Sequence, residues 1–222
     1  MSAEGQEQGR GRIVLGSRSP QRRELLAQIV APGRIEVLPP ASTGEQGFDG
    51  VADEPAIHQR LREIVLEKAH DVRLQLGAQR RAAGMAAVVC ADTVIAGTNQ
   101  DGTRCVLEQP PEENWQQTVR DWFLRFYLGR THSAITAVHV VTGLGRVCER
   151  VVESQVTFHT GMESRLEDYL ATGESRGKAG GYALQGEGGD FVERVEGSIS
   201  NVIGLPLEAL LEMFEELEVD VG

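Results

Sequence analysis

Several things are scarce in this 222-residue chain, and each scarcity narrows what it can be. No apolar run approaches the ~18 residues that a membrane-spanning helix needs. The longest, Met85 to Ala91, ends at Asp92. Cysteines are few and odd in number, and Cys90, Cys105 and Cys148 show no CxxC spacing, so they read as buried structural thiols in a reducing compartment. Basic residues are outnumbered, 22 Lys and Arg against 33 Asp and Glu, giving a net charge of −11. Such a surface repels polyanions and argues against a nucleic acid polymer as partner. It leaves open a small anion such as a nucleotide, which needs only a local cluster of cations and backbone N–H groups with a metal ion. GxxxxGK[ST], GxGxxG after a strand, HExxH and GxSxG are all missing, which removes support for the common ATPase, dehydrogenase, zincin and α/β-hydrolase readings. His58, His70, His132, His139 and His159 show neither i, i+4 nor H-x-H spacing, so no histidine-rich metal site is expected. Met1 to Arg12 lacks the apolar segment of a signal peptide and reads as a flexible arm, with the cytoplasm as the expected location.

What is present is an ordinary globular composition, 41% hydrophobic and 25% charged, enough for one sizeable core in a domain over residues 13–222. A short strand, Ile13 to Leu15, runs into Gly16-Ser17-Arg18-Ser19-Pro20 and a helix with Leu25, Leu26, Ile29 and Val30 on one face. Ser19 is the natural N-cap and Pro20 suits the first helical position. A second strand is expected over Arg34 to Leu38, followed by a long polar loop. Pro55 then opens a helix whose apolar stripe, Ile57, Leu61, Ile64, Val65 and Val72, is interrupted by Lys68. Ala86 to Ala96 reads as a core strand containing Asp92 and Thr93, with Thr103 to Leu107 as its hairpin partner. Trp115, Val119, Trp122, Phe123 and Phe126 mark a third helix ending at Gly129. His132 to Thr142 and Arg146 to Phe158 form a long hairpin across Gly143-Leu144-Gly145. Nine glycines fall between Gly173 and Gly204, so something must approach that backbone closely. Pro206 starts a last helix with Leu207, Leu210, Leu211, Phe214 and Leu217 facing inward.

Chemistry concentrates in three places. The Ser17–Ser19 loop meets a helix N-terminus carrying Arg22 and Arg23, an arrangement suited to a phosphate chain. Asp92, a carboxylate in an apolar strand, must be paired, metal-bound or shifted in pKa. Lys68 is a candidate partner, although it can also snorkel to the surface.

These residues resemble the Maf-like nucleoside triphosphate pyrophosphatases, also called septum-formation inhibitor homologues, along nearly the whole chain. SRSPQRRELL (17–26) is similar to the family's S-x-S-P-R-R-x-x-L-L loop, LEKA (66–69) to its E-K-A helix motif and CADTVI (90–95) to its A-D-T-V strand. LEQP (107–110) stands where the family has a K-P turn. GKAGGYALQG (177–186) resembles K-A-G-x-Y-x-I-Q-G, and GSISNVIGLPL (197–207) resembles the closing G-S-x-x-N-V-x-G-L-P-L.

The resemblance implies an α/β fold of the Maf/ITPase-like type, a mixed elongated sheet flanked by helices in two lobes with a nucleotide cleft between them. It implies hydrolysis of a nucleoside triphosphate to monophosphate and pyrophosphate with Mg²⁺ or Mn²⁺. Asp92 would be the general base or a metal-linked activator of water, Glu45 a metal ligand, and Ser17, Arg22 and Lys68 phosphate or transition-state contacts. Glu54 is the rival to Glu45. Of the three positions that mark the dTTP/UTP subgroup as Arg, Thr and Gln, this chain has Gln21, Thr93 and Gln185, so two match. Gln109 replaces the lysine of the K-P turn, and Arg23 or Lys178 is expected to supply the missing charge. The alternative is a catalytically weak nucleotide-binding or partner-binding homologue. No membrane partner is expected, and a homodimer is left open.

Overall fold

The computed structural model describes residues 11–41, 47–81 and 83–221. Its seven strands are β1 (Arg12–Leu15), β2 (Ile35–Val37), β3 (Met85–Thr98), β4 (Arg104–Leu107), β5 (Thr131–Thr142), β6 (Val147–Phe158) and β7 (Val192–Glu196). They form one mixed sheet in the order β2-β1-β3-β5-β6-β7, with β4 also paired to β3. β1 runs parallel to β2 and β3, and the other pairings are antiparallel. The expected hairpins are present: β4 folds back on β3, and β5 meets β6 with Val141 opposite Val147.

β3 organises the molecule. It is apolar on nearly every residue because both its faces are covered, as in a central strand. One edge pairs with β5 from Ala87 to Ala96. The other edge pairs with β1 only as far as Val89 and with β4 only from Ile95. Among the described residues, Cys90 to Val94 therefore have no strand on that side, and Asp92 and Thr93 lie in the gap. Successive residues of a strand point to opposite faces, so these two serve different sides of the sheet.

The helices are α1 (Pro20–Leu26), α2 (Glu54–Ala78), α3 (Trp115–Trp122), α4 (Glu163–Thr172), α5 (Ile199–Ile203) and α6 (Leu207–Glu216). α2 lies along one face. Its first half packs Ile57, Leu61, Ile64 and Val65 on Val94, Ala96 and Ile135, and its second half packs Ala69, Val72 and Leu76 on Val14 and Val88. The opposite face carries two separate cores. Leu25 and Leu26 of α1 and Leu210 and Phe214 of α6 cover Leu15, Val89 and Val140, while Phe123, Tyr127, Phe158, Tyr169 and Phe191 form an aromatic core farther along. Phe123 makes four ring contacts at 5.1–5.6 Å, so its loss to Ala is expected to cost about 3–5 kcal/mol.

Four details depart from the sequence reading. Helix α1 ends at Leu26, so Ile29 and Val30 pack from the turns that follow. The third helix stops as an α-helix at Trp122 and continues as a π-turn over Phe123–Tyr127, with Leu128 N–H donating to Phe123 O at 2.9 Å before Gly129 ends it at φ +65°. The wider turn lets Phe123, Phe126 and Tyr127 all be buried. Leu211 is 41% exposed rather than inward, because Met213 takes the buried place between Leu210 and Phe214. Cys105 is half-buried, whereas Cys90 and Cys148 are buried as expected.

Candidate functional site

A cleft of about 1070 Å³ opens at the gap beside β3, a size suited to a small-molecule ligand. The loop after β1 forms one wall, which is where ligands gather in parallel α/β sheets, beyond the carboxyl ends of the strands. Ser19 caps α1 by accepting the Arg22 N–H at 3.3 Å, and its own N–H donates to Ser17 Oγ at 3.1 Å. Arg22 turns inward: Nε donates to Gly204 O at 2.8 Å, one terminal nitrogen to Thr93 Oγ1 at 3.1 Å and the other to Ser17 Oγ at 3.4 Å. One guanidinium thus ties the loop to β3 and to the turn between α5 and α6. Gln21 also lines the cleft, and its amide oxygen accepts from Ser19 Oγ at 3.1 Å. Arg23 is exposed and is not among the cleft-lining residues. Arg18, which sequence reasoning did not single out, does line it and donates to Pro40 O at 2.9 Å. Its place between two loop serines was the available signal.

Lys68 and Asp92 meet in the cleft. Lys68 Nζ lies 2.6 Å from Asp92 Oδ1, and the side chains are 14% and 17% exposed. The ammonium interrupts the apolar stripe of α2 because the carboxylate waits across the interface. Asp92 Oδ2 receives no hydrogen bond among the described residues and remains an available acceptor. Thr93, on the other face, is 2.9 Å from Thr136 Oγ1.

The glycine-rich loop forms the far wall and rests on the aromatic core. Gly180 adopts φ +69°, and a side chain there would collide with Ile95 and the Tyr127 hydroxyl. Its N–H donates to Glu108 O at 3.0 Å, and Tyr127 and Tyr169 donate their hydroxyls to Gly180 O and Gly181 O at 2.9 and 3.0 Å. Tyr182 Oη pairs with His132 Nε2 at 2.8 Å. Burial pushes the Tyr182 hydroxyl up in pKa and His132 down to about 3, so both are neutral. Lys178, Gln185 and Gln109 all face the cleft.

Among the described residues, four cations, Arg18, Arg22, Lys68 and Lys178, line the cleft with three carboxylates, Asp92, Glu108 and Glu174, so cations gather here on a chain that is acidic as a whole, which favours an anionic ligand. Glu45 lies outside the described residues. Glu54 does not line the cleft; it groups with His58 and Glu153, their ligand atoms within 4.8 Å of one another, a set of metal-type donors apart from Asp92. The oxygen donors of Asp92 and Glu108 in the cleft are of the type that hard divalent cations prefer. No helix among the described residues is long and apolar enough to cross a membrane.

A family model described as Maf-like protein matches residues 12–217. The dTTP/UTP pyrophosphatase of Brucella abortus (strain 2308) is 37% identical over 199 residues, covering 89% of this chain and 87% of that protein. The dTTP/UTP pyrophosphatase of Caulobacter vibrioides is 36% identical over 206 residues, covering 92% and 95%. Among solved structures, a nucleoside-triphosphatase / dITP/XTP pyrophosphatase from Mycobacterium abscessus matches with a TM-score of 0.44 and 16% identity, over 95% of this chain and 100% of that one.

Proposed function

Because the chain belongs to the Maf-like protein family, we propose that it hydrolyses dTTP- and UTP-like nucleoside triphosphates to the monophosphate and pyrophosphate. The observation that carries this reading is the convergence, in one cleft, of the Ser17–Arg22 loop, the Lys68–Asp92 pair and the loop bearing Lys178 and Gln185. In this reading the triphosphate lies against the loop after β1, where hydroxyls, N–H groups and the cations Arg18 and Arg22 offset its charge. Lys68 holds Asp92 through Oδ1 and leaves Oδ2 to accept the proton of the water that attacks the α-phosphorus. The bond from that phosphorus to the oxygen bridging to the β-phosphate breaks, and pyrophosphate leaves with the electron pair. Lys178 stabilises the charge that develops on it. Alternatively, Asp92 Oδ2 and Glu45 would hold Mg²⁺ or Mn²⁺, which would supply charge neutralisation at the phosphate oxygens and lower the pKa of the water, in place of direct proton acceptance by Oδ2. In this reading Thr93, Gln21 and Gln185, the three positions that mark the subgroup, would contact the pyrimidine.

Residues 13–222 are read as one domain of two lobes, following the separate cores on either side of Thr93. The three free thiols support a reducing compartment, the cytoplasm.

Incubation of a nucleoside triphosphate panel with Mg²⁺ or Mn²⁺ tests the reaction. Monophosphate plus pyrophosphate is expected, with UTP and dTTP preferred; diphosphate and orthophosphate as first products would sink it. Gln21 and Gln109, neutral where the family has cations, favour a second reading, a nucleotide binder with weak turnover. Tight nucleotide binding without pyrophosphate release would select it.

A further inference from the structure

Gln185 lies on the loop from Tyr182 to Gly188, which must hold one shape if its amide is to read a base. Tyr182 fixes the near end through His132. The far end is held by Glu174, a cleft-lining residue just beyond Gly173, the left-handed glycine that ends α4. Its Oε2 accepts the Glu187 N–H at 2.8 Å and its Oε1 the Gly188 N–H at 3.0 Å. Those amides open the 3₁₀ turn Glu187–Phe191, where N–H groups have no partner within the turn itself. Tyr169 Oη also reaches Oε1 at 3.4 Å. Gly186 is packed so closely on this carboxylate that a Cβ there would overlap it. Gln185 is therefore the residue immediately before a backbone clamp that a single side chain closes.

We propose that Glu174 is a positioning residue for base recognition: its carboxylate fixes the 186–188 backbone and thereby the place of the Gln185 amide. This rests on the nucleotide reading of the cleft and adds to it a specificity-determining role for a residue that touches neither phosphate nor base. A carboxylate is suited to the task because it offers two acceptor oxygens to two adjacent N–H donors. Glutamine offers one, and alanine none.

The test compares Glu174→Gln, Glu174→Ala, Gln185→Ala and the Glu174→Ala/Gln185→Ala double variant by pyrophosphate release from UTP, dTTP, CTP and GTP, with melting temperatures alongside. Glu174→Ala is expected to raise KM for UTP and dTTP about tenfold while kcat changes by less than about threefold, since only binding geometry is altered. Its UTP-to-GTP preference should fall to the level of Gln185→Ala. The double variant should show little further loss, because both changes remove the same contact. Glu174→Gln should recover part of the preference. Unchanged base ratios in both Glu174 variants, or a melting-temperature drop with KM and ratios intact, would overturn the proposal. If Glu174→Ala does not fold, the ratio in Glu174→Gln decides. Calorimetric binding of α,β-imido analogues of UTP and GTP repeats the comparison without turnover. A natural protein that binds these analogues but releases no pyrophosphate refutes the hydrolase reading alone, whereas a UTP-to-GTP binding ratio that falls in Gln185→Ala but stays at the natural value in both Glu174 variants refutes the role of Glu174 alone.

Discussion

Lys68 Nζ and Asp92 Oδ1 are 2.6 Å apart, joining the middle of α2 to β3 where β1 has ended and β4 has not begun. The contact pairs two charges that would each be costly alone in an apolar setting, and it leaves Asp92 Oδ2 without a hydrogen bond among the described residues of the cleft.

If Oδ2 accepts the proton of the attacking water, Asp92→Asn should lower turnover by roughly 10²- to 10⁴-fold with the fold intact, since the amide is nearly isosteric but cannot act as base. Steady-state pyrophosphate release and circular dichroism check both halves. Near-normal turnover would reduce Asp92 to one half of a structural pair.

Lys68→Met separates stability from chemistry. Methionine suits the stripe between Ile64, Val65 and Val72, but it leaves Asp92 without its cation. Activity should be lost, and the melting temperature should fall by a few degrees at most, because the unpaired Asp92, 17% exposed, keeps part of its hydration. A fall of many degrees would show that the pair chiefly holds the fold.

Arg22 bonds three separate segments through Gly204 O, Thr93 Oγ1 and Ser17 Oγ. Lysine can satisfy about one of these acceptors, and each lost bond to a charged group is worth about 1.5–3 kcal/mol at most. Arg22→Lys should therefore destabilise measurably and cut kcat/KM, with Arg22→Ala worse on both. Denaturant midpoints that stay the same in both variants would mean that the loop holds itself.

Much of this was legible in the sequence because the signals were local. Ser19-Pro20 marks a capped helix start, the apolar stripe of α2 makes Lys68 conspicuous, and the β-rich runs around Gly143-Leu144-Gly145 specify a hairpin. What was not legible depends on pairing at a distance. Nothing near Asp92 says that β1 stops opposite Val89 and β4 starts opposite Ile95, although that gap makes the cleft. α4 went unnoticed because only Leu166, Tyr169 and Leu170 of its ten residues are buried, and β7 because it has no fully buried residue. Arg18 reads as another surface arginine until the loop folds. The nine glycines did announce a close approach, but only the structure shows that the partners are Ile95, Tyr127, Val119 and Glu174.

His132 gives a pH-dependent stability. Burial lowers its pKa from 6.5 to about 3, so the unfolded chain takes up a proton that the folded chain refuses. Above pH 6.5 the two states bind equally and nothing is gained or lost. As pH falls from 6.5 toward 3, this group alone should remove up to ~1.4 kcal/mol per pH unit. His132→Gln, less stable near neutrality for want of the Tyr182 contact, should lose stability less steeply over that interval. Urea midpoints at intervals between pH 7 and pH 4 decide it, and parallel curves for the two proteins would refute the assignment.

Gln109 lines the same cleft as Lys178 and Arg18, whereas Arg23 is turned to solvent. A neutral amide can donate to a phosphate oxygen but cannot offset its charge, and a charge-assisted contact exceeds a neutral one by about 1–1.5 kcal/mol. If nothing replaced the missing cation, Gln109→Lys should raise turnover about tenfold. With Lys178 and Arg18 already in the cleft, the expected outcome is different: Gln109→Lys changes turnover less than about threefold, Lys178→Ala and Arg18→Ala each lower it by about tenfold or more, and Arg23→Ala has little effect. Turnover of the natural protein and these four variants, measured at one salt concentration because the contacts are electrostatic, separates the two cases. A slow natural protein rescued by lysine at position 109 would show that the cations on the two loops do not reach the triphosphate, and would move the chain to the nucleotide-binder reading.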